Sequence, residues 1–131
     1  MKLFLLLLLF NALALFSVAQ KTNLNSLAPK ETFENIYSEK IAGDSLSTSF
    51  IIWIKKEVKL HKHIEHSEHV YILEGEGNMR LGNEILKIKT GDVIFIPKNT
   101  PHKVITTSTI PLKVLSIQSP SFDGSDRILL E

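Results

Sequence analysis

His61-Lys62-His63-Ile64-Glu65-His66-Ser67-Glu68-His69 holds four of the chain's five histidines. Its reading turns on whether it is helix or strand. His63, His66 and His69 are spaced three apart, as neighbours on one side of a helix would be. The surroundings oppose that, because Val58, Val70, Tyr71 and Ile72 are β-branched or aromatic and favour strands. The stretch also lacks the His-Glu-x-x-His of a helical zinc protease site. On a strand, His61 and His63 leave the same face, so two imidazoles can converge on one ion. Glu68 follows after a short turn and can add an anionic oxygen. His102, the fifth histidine, opens a later strand that can lie opposite. Read alone, the stretch also fits a solvated, histidine-rich loop that takes up metal by accident.

Around this stretch the chain breaks into short β-rich runs at residues 33–41, 46–54, 58–63, 69–73, 78–81, 84–89, 93–96, 102–107 and 112–117. Gly43-Asp44, Gly75-Glu76-Gly77, Gly82-Asn83 and Gly91-Asp92 punctuate them. Turn signals at about this spacing indicate an all-β sandwich or barrel. No run carries a helical stripe. Closing the sheet would also remove exposed strand edges.

The larger pattern is more specific. His61-x-His63, four residues, Glu68, six residues and Gly75 form one block; Gly91, five residues, Pro97, four residues and His102 form a second. Both blocks, and the spacing between them, resemble the two signatures of the cupin superfamily, in the manner of its small single-domain metal-binding members. The blocks cover residues 61–102, and flanking strands extend the resemblance to residues 33–131. Two departures are visible. Lys55 stands where the family often has a glycine before its first histidine. The second signature usually reads Pro-x-Gly and ends in Asn, where this chain has Asn99 and Thr106. Asn tolerates positive φ, so Asn99 can make the same turn.

The resemblance implies a double-stranded β-helix, the jelly-roll barrel, around one divalent metal. Carried over residue by residue, the ligands are His61, His63, Glu68 and His102, which leave one or two coordination positions open. Mixed imidazole and carboxylate ligands suit Fe, Mn, Ni, Cu or Zn without choosing among them; Fe or Mn is favoured. His66 is the one nearby candidate for a catalytic base. His69 directly follows Glu68 on a strand and should face away from the site. Val70 and Ile72 share the face of Glu68, Val104 and Thr106 share that of His102, and Phe95 is a further expected wall. Phe50 and Trp53 read as core or subunit contact. Arg80 and Arg127 are the only arginines, too few for a multiply phosphorylated sugar. A small, weakly polar organic molecule fits better. Residues 119–127 resemble the tail that in many small cupins crosses the barrel or reaches a neighbouring subunit; an ordinary exposed tail is the alternative. A homodimer is expected, with residues 46–54 as contact strand.

The N-terminus carries a separate message. Met1-Lys2 precedes an apolar run over residues 3–16, and Ser17-Val18-Ala19 places small residues where a signal peptidase reads. This is the pattern of a signal peptide over residues 1–19, cleaved before Gln20. The run is shorter than the ~20 apolar residues that span a bilayer; an uncleaved anchor is the alternative. Residues 20–32 read as an arm and residues 33–131 as the domain. The expected product is periplasmic or secreted, with no stable membrane insertion after cleavage.

Composition narrows the partners. Fifteen Lys and Arg face fourteen Asp and Glu, and loss of Lys2 with the signal would balance them. A neutral chain with scattered lysines gains no long-range attraction to nucleic acid. With no cysteine, disulfides, thiolate metal sites and cysteine nucleophiles are excluded. Three functions remain: a metal-dependent dioxygenase or isomerase on a small organic compound, a non-catalytic metal-anchored binding or sensing module, and a structural scaffold, against which the complete ligand set argues.

Overall fold

A computed structural model describes residues 19–130. The expected signal segment, residues 1–19, lies outside them apart from its last residue. Among the described residues there is no α-helix, and strands form two five-stranded antiparallel sheets. The strands are β1 (Ile36–Gly43), β2 (Thr48–Ile54), β3 (Glu57–Lys62), β4 (Ser67–Glu74), β5 (Glu76–Leu81), β6 (Glu84–Lys89), β7 (Val93–Ile96), β8 (His102–Thr106), β9 (Leu112–Ser119) and β10 (Ile128–Leu129). One sheet runs β1-β2-β9-β4-β7 and the other β10-β3-β8-β5-β6. Nine strands coincide with the apolar runs of the sequence. β10 is additional, because its two residues pair through backbone alone and carry no pattern of their own.

Alternation along the strands builds the core. In β7, Ile94 and Ile96 are buried while Val93 and Phe95 are exposed, the period-two pattern of a strand with one wet face. Ile54, Ile72, Met79, Ile88, Ile94, Ile96, Leu112 and Val114 pack together between the sheets. Gly77 lies where a Cβ would come within 2.8 Å of both the Ile105 carbonyl oxygen and the Leu112 side chain, so only glycine lets β5 pass there.

The arm is not detached from the domain. Residues Leu24–Ser26 form a 3-10 turn, and the Leu27 carbonyl accepts a 3.0 Å hydrogen bond from Nζ of buried Lys113. Lys55 explains one departure from the family pattern. Its Nζ donates to the Phe33 carbonyl and sits over the Phe33 ring, which ties the β2–β3 turn to the segment before β1. β2 lies between β1 and β9, and Ile51 and Trp53 are already buried within the chain. Exposed apolar side chains on that sheet are Ile36 on β1, Tyr71 on β4, and Val93 and Phe95 on β7, and Leu46 is exposed just before β2.

Candidate metal centre

Two strands bring the histidines together. β3 carries His61 and leads into His63, β8 begins at His102, and the register pairs His61 directly with His102. One ligand atom from each of the three lies within 4.8 Å of the others, and all three residues are buried. They form a group that can hold a metal ion. Glu68 arrives from β4 in the facing sheet. Its Oε2 lies 3.6 Å from His63 Nε2 and 3.6 Å from His102 Nε2.

Each ring is oriented by the backbone. His61 Nδ1 donates to the Lys59 carbonyl at 2.8 Å, His63 Nδ1 to the Asp126 carbonyl at 2.5 Å, and His102 Nδ1 to the Thr100 carbonyl at 2.9 Å. A proton on Nδ1 leaves the Nε2 lone pair for the centre. Glu68 Oε1 accepts a 2.5 Å hydrogen bond from Ser116 Oγ, which leaves Oε2 for the same centre. His63 Nε2 and His102 Nε2 are buried without a hydrogen-bond partner. Two ligand atoms about 2.1 Å from one ion, at right or tetrahedral angles, lie about 3.0–3.4 Å apart. The 3.6 Å separations are close to what a shared ion imposes, so these residues fit a divalent metal.

The electrostatics agree. Burial, and then the neighbouring His102, push His61 down to about 4, so its imidazole is neutral near pH 7. At His63 burial opposes the charged form, but Glu68 and the Asp126 carbonyl outweigh it and raise the pKa. Burial would raise Glu68, yet the neighbouring His102 and His63 imidazoles and the hydrogen bond from Ser116 hold it well below the usual carboxylate range.

The tail crosses the barrel, one of the two readings of residues 119–127. Asp126 Oδ1 accepts from Ile64 N–H at 2.9 Å, and Oδ2 from Glu65 N–H at 2.8 Å and His66 N–H at 3.1 Å. His66 presents Nδ1 to Asp126 Oδ2 at 2.6 Å and Nε2 to the Ser121 carbonyl at 3.0 Å. Phe122 packs against the rings of His63 and His66. His66, the sequence's candidate base, therefore has both ring nitrogens facing acceptors on the tail. Asn99 adopts φ 60° and donates its N–H to the His63 carbonyl at 2.5 Å, so the second signature also braces the first.

A cavity of about 210 Å³ opens beside the four side chains. Val70, Ile72 and Val104 line it, and so does Phe50, which the sequence reading had assigned to core or subunit contact. Two expected wall residues do not line it. Phe95 faces out of β7, 51% exposed, with its ring against His69; Ile94 and Ile96 hold the inward positions of that strand. Thr106 donates its hydroxyl to the Ile54 carbonyl at 2.9 Å, which holds it in the wall's backbone layer. His69 is exposed on the outer face beside Phe95. Sequence reasoning missed Ser116, Gln118 and Asp126. Ser116 and Gln118 had one available signal: with Leu112 and Val114 they occupy alternate positions of β9, where small and polar residues interrupt an apolar face.

Comparison with known proteins places this geometry. An uncharacterized protein of Methanocaldococcus jannaschii is 42% identical over 81 residues, 62% of this chain and 65% of that one, so this chain spans less than two thirds of its length. Among solved structures, KdgF from Halomonas superposes with a TM-score of 0.71 at 17% identity, over 81% of this chain and 97% of KdgF. Pac13 of Streptomyces, a nucleoside dehydratase solved with uridine, gives 0.69 at 16% identity, over 87% of this chain and 92% of Pac13. At those identities the likeness is one of fold. The cupin-domain family profile matches residues 50–118, more than half the sequence and all of the histidine and glutamate positions above, and the chain belongs to the cupin family.

Proposed function

We propose that this cupin is a metal-dependent enzyme, holding one divalent ion through His61, His63, Glu68 and His102 and acting on a small organic compound by dioxygenase or isomerase chemistry. The observation that carries the reading is the pair of buried, partnerless Nε2 atoms of His63 and His102 facing an ionised Glu68. Buried polar atoms without partners are costly, and a cation satisfies all three residues at once. When bound, such an ion supplies Lewis acidity and an open coordination position. The chain keeps its imidazoles in the ligating tautomer, keeps Glu68 charged through Ser116, and surrounds the position with an apolar wall that limits water. Solved structures of the same fold include the nucleoside dehydratase, which supports small-molecule chemistry in such a barrel.

Metal analysis of untagged protein tests this. About one equivalent of metal is expected, Fe or Mn in the native host and Zn, Ni or Cu as alternative occupants. Oxygen-uptake and isomerisation screens with the native ion then seek turnover. A protein that cannot be loaded beyond a tenth of an equivalent would refute the metal assignment.

One observation favours a second reading, a non-catalytic metal-anchored binding module. His66 is committed to the tail through both nitrogens and is not free to act as a base. Tight stoichiometric binding without turnover would select this reading.

We also propose export, on the pattern of residues 1–19, to a periplasm or the medium. Mass spectrometry of native protein should then find Gln20 first, and a full-length cytoplasmic chain would overturn it. A homodimer is proposed as well, with the exposed Tyr71, Val93 and Phe95 face meeting a second copy; sedimentation at micromolar concentration should show a dimer that Phe95→Glu weakens.

A further inference from the structure

The cavity's few polar groups describe a ligand. Its walls are mainly aliphatic, from residues such as Ile52, Ile54, Val58 and Val114. Glu68 is the only carboxylate among the described lining residues. A divalent ion beside three neutral imidazoles and one carboxylate leaves a net positive centre. Lys103 and the exposed Arg127 add positive charge at the wall. Arg127 directly precedes β10, where Ile128 pairs with Lys62 and Leu129 with His61, so it lies at the level of His63. A cavity that is apolar, positive and small favours a compact anion over a neutral or cationic molecule.

Gln118 supplies a second, independent observation. It is 6% exposed, pairs with Glu68 across β9 and β4, and lines the same cavity. Its Oε1 is buried without any hydrogen-bond partner. Ser116, two residues before it on the same face, is spent on Glu68. A buried amide oxygen left open toward a cavity asks for a donor on the ligand.

We propose that the cavity takes a small hydroxylated carboxylic acid with a branched aliphatic body, its carboxylate paired with Arg127 and its hydroxyl donating to Gln118. This rests on the metal reading for the positive centre, but Arg127 and Gln118 are new assignments that stand on their own geometry. Both are positioning groups that select the ligand and take no part in metal ligation.

The test uses three probes on the manganese-loaded protein by titration calorimetry: 2-hydroxy-3-methylbutanoate, 3-methylbutanoate, which lacks the hydroxyl, and 2-hydroxy-3-methylbutanamide, which lacks the charge. Metal content of each variant is measured first, so that loss of metal and loss of the anion site are told apart. The hydroxy acid should bind wild type at least tenfold more tightly than the amide. Arg127→Gln should retain one equivalent of metal and lose that tenfold preference, while Arg127→Lys keeps part of it. Gln118→Leu should bring the hydroxy acid down to the affinity of 3-methylbutanoate. Equal binding of the carboxylates to wild type and Arg127→Gln would overturn the proposal, because the anion would then sit on the metal alone. Failure of all three probes to bind metal-loaded wild type at millimolar concentration would overturn it too. Wild type that takes no metal but still prefers carboxylate to amide through Arg127 would leave this inference standing and refute the metal reading.

Discussion

His63 donates its Nδ1 proton to the backbone carbonyl of Asp126, 63 residues further along the chain. The same Asp126 side chain gathers the N–H groups of Ile64, Glu65 and His66. One residue of the tail therefore fixes both the ring of a candidate ligand and the loop that leads from it to Glu68. Its carboxyl is held well below the usual range, because the hydrogen bonds from His66, Ile64 and Glu65 outweigh the cost of burial.

Asp126→Ala keeps the carbonyl that orients His63 but removes the acceptor for the loop. Freed backbone donors cost about 1 kcal/mol or more, which for a domain of this size is about 5 °C in Tm. Metal affinity should fall about tenfold, the low end of what loss of an outer contact does to a metal site. Thermal melts with and without metal, together with metal titration, check both. An unchanged metal affinity would mean the tail does not brace the centre.

Ser116→Ala removes the donor to Glu68 Oε1 and leaves that oxygen buried without a partner. The Glu68 pKa should rise, since one of the hydrogen bonds that lowers it is gone. Protons then compete with metal at a higher pH. Metal titrations from pH 5 to 7 should show the variant losing affinity earlier on the acid side than wild type, with the gap closing as pH rises. Parallel profiles would assign Ser116 a packing role only.

The grouping of His61, His63 and His102 was legible in the sequence, partly through periodicity and partly through the family resemblance. His61 and His63 share a face by period two, and Glu68 and His69 are separated by the same rule. The two signatures supplied the spacing that carried His102 to the same place. Asn99 was legible for its backbone, and it adopts φ 60°. What the sequence did not carry was contact across distance. Asp126 looks like one acid in a polar tail, and nothing local says that it reaches residues 63–66. Phe95 misled because an aromatic in a β run suggests a wall; the phase of β7 turns it outward. Thr106 shares a face with His102, but its hydroxyl finds the Ile54 carbonyl first.

Substitutions at the centre should separate ligands from bystanders. His63→Ala or His102→Ala should abolish tight metal binding, and the double change of His61 and His102 should do so completely. His69→Ala should leave one equivalent bound with unchanged affinity, since His69 is exposed against Phe95 on the other face. The metal-induced rise in Tm, which follows from binding the folded state alone, should vanish in the first group and persist in the last. A double variant that still takes one equivalent as tightly as wild type would reject the site.

The metal-free protein should have its own pH signature, because two of its histidines are shifted in opposite directions. His61 is held down, to about 4 against an ordinary 6.5. Its neutral burial contributes stability above pH 6.5 that is lost as pH falls from there toward 4, where the unfolded chain binds the proton and the folded one does not. Glu68, also depressed, adds to the loss below its ordinary 4.5. His63 is raised, so its contribution is complete below pH 6.5 and fades as pH climbs through its folded value. Together they place the stability maximum of the chelator-treated protein near pH 6.5, with a decline on both sides. Metal should remove the alkaline decline, because the ion replaces the proton that His63 gives up. Calorimetric melts from pH 4.5 to 8.5, with chelator and with one equivalent of zinc, read both curves. His63→Gln should flatten the alkaline limb of the metal-free curve and leave the acid limb in place; an alkaline decline that survives His63→Gln would mean that another group sets it.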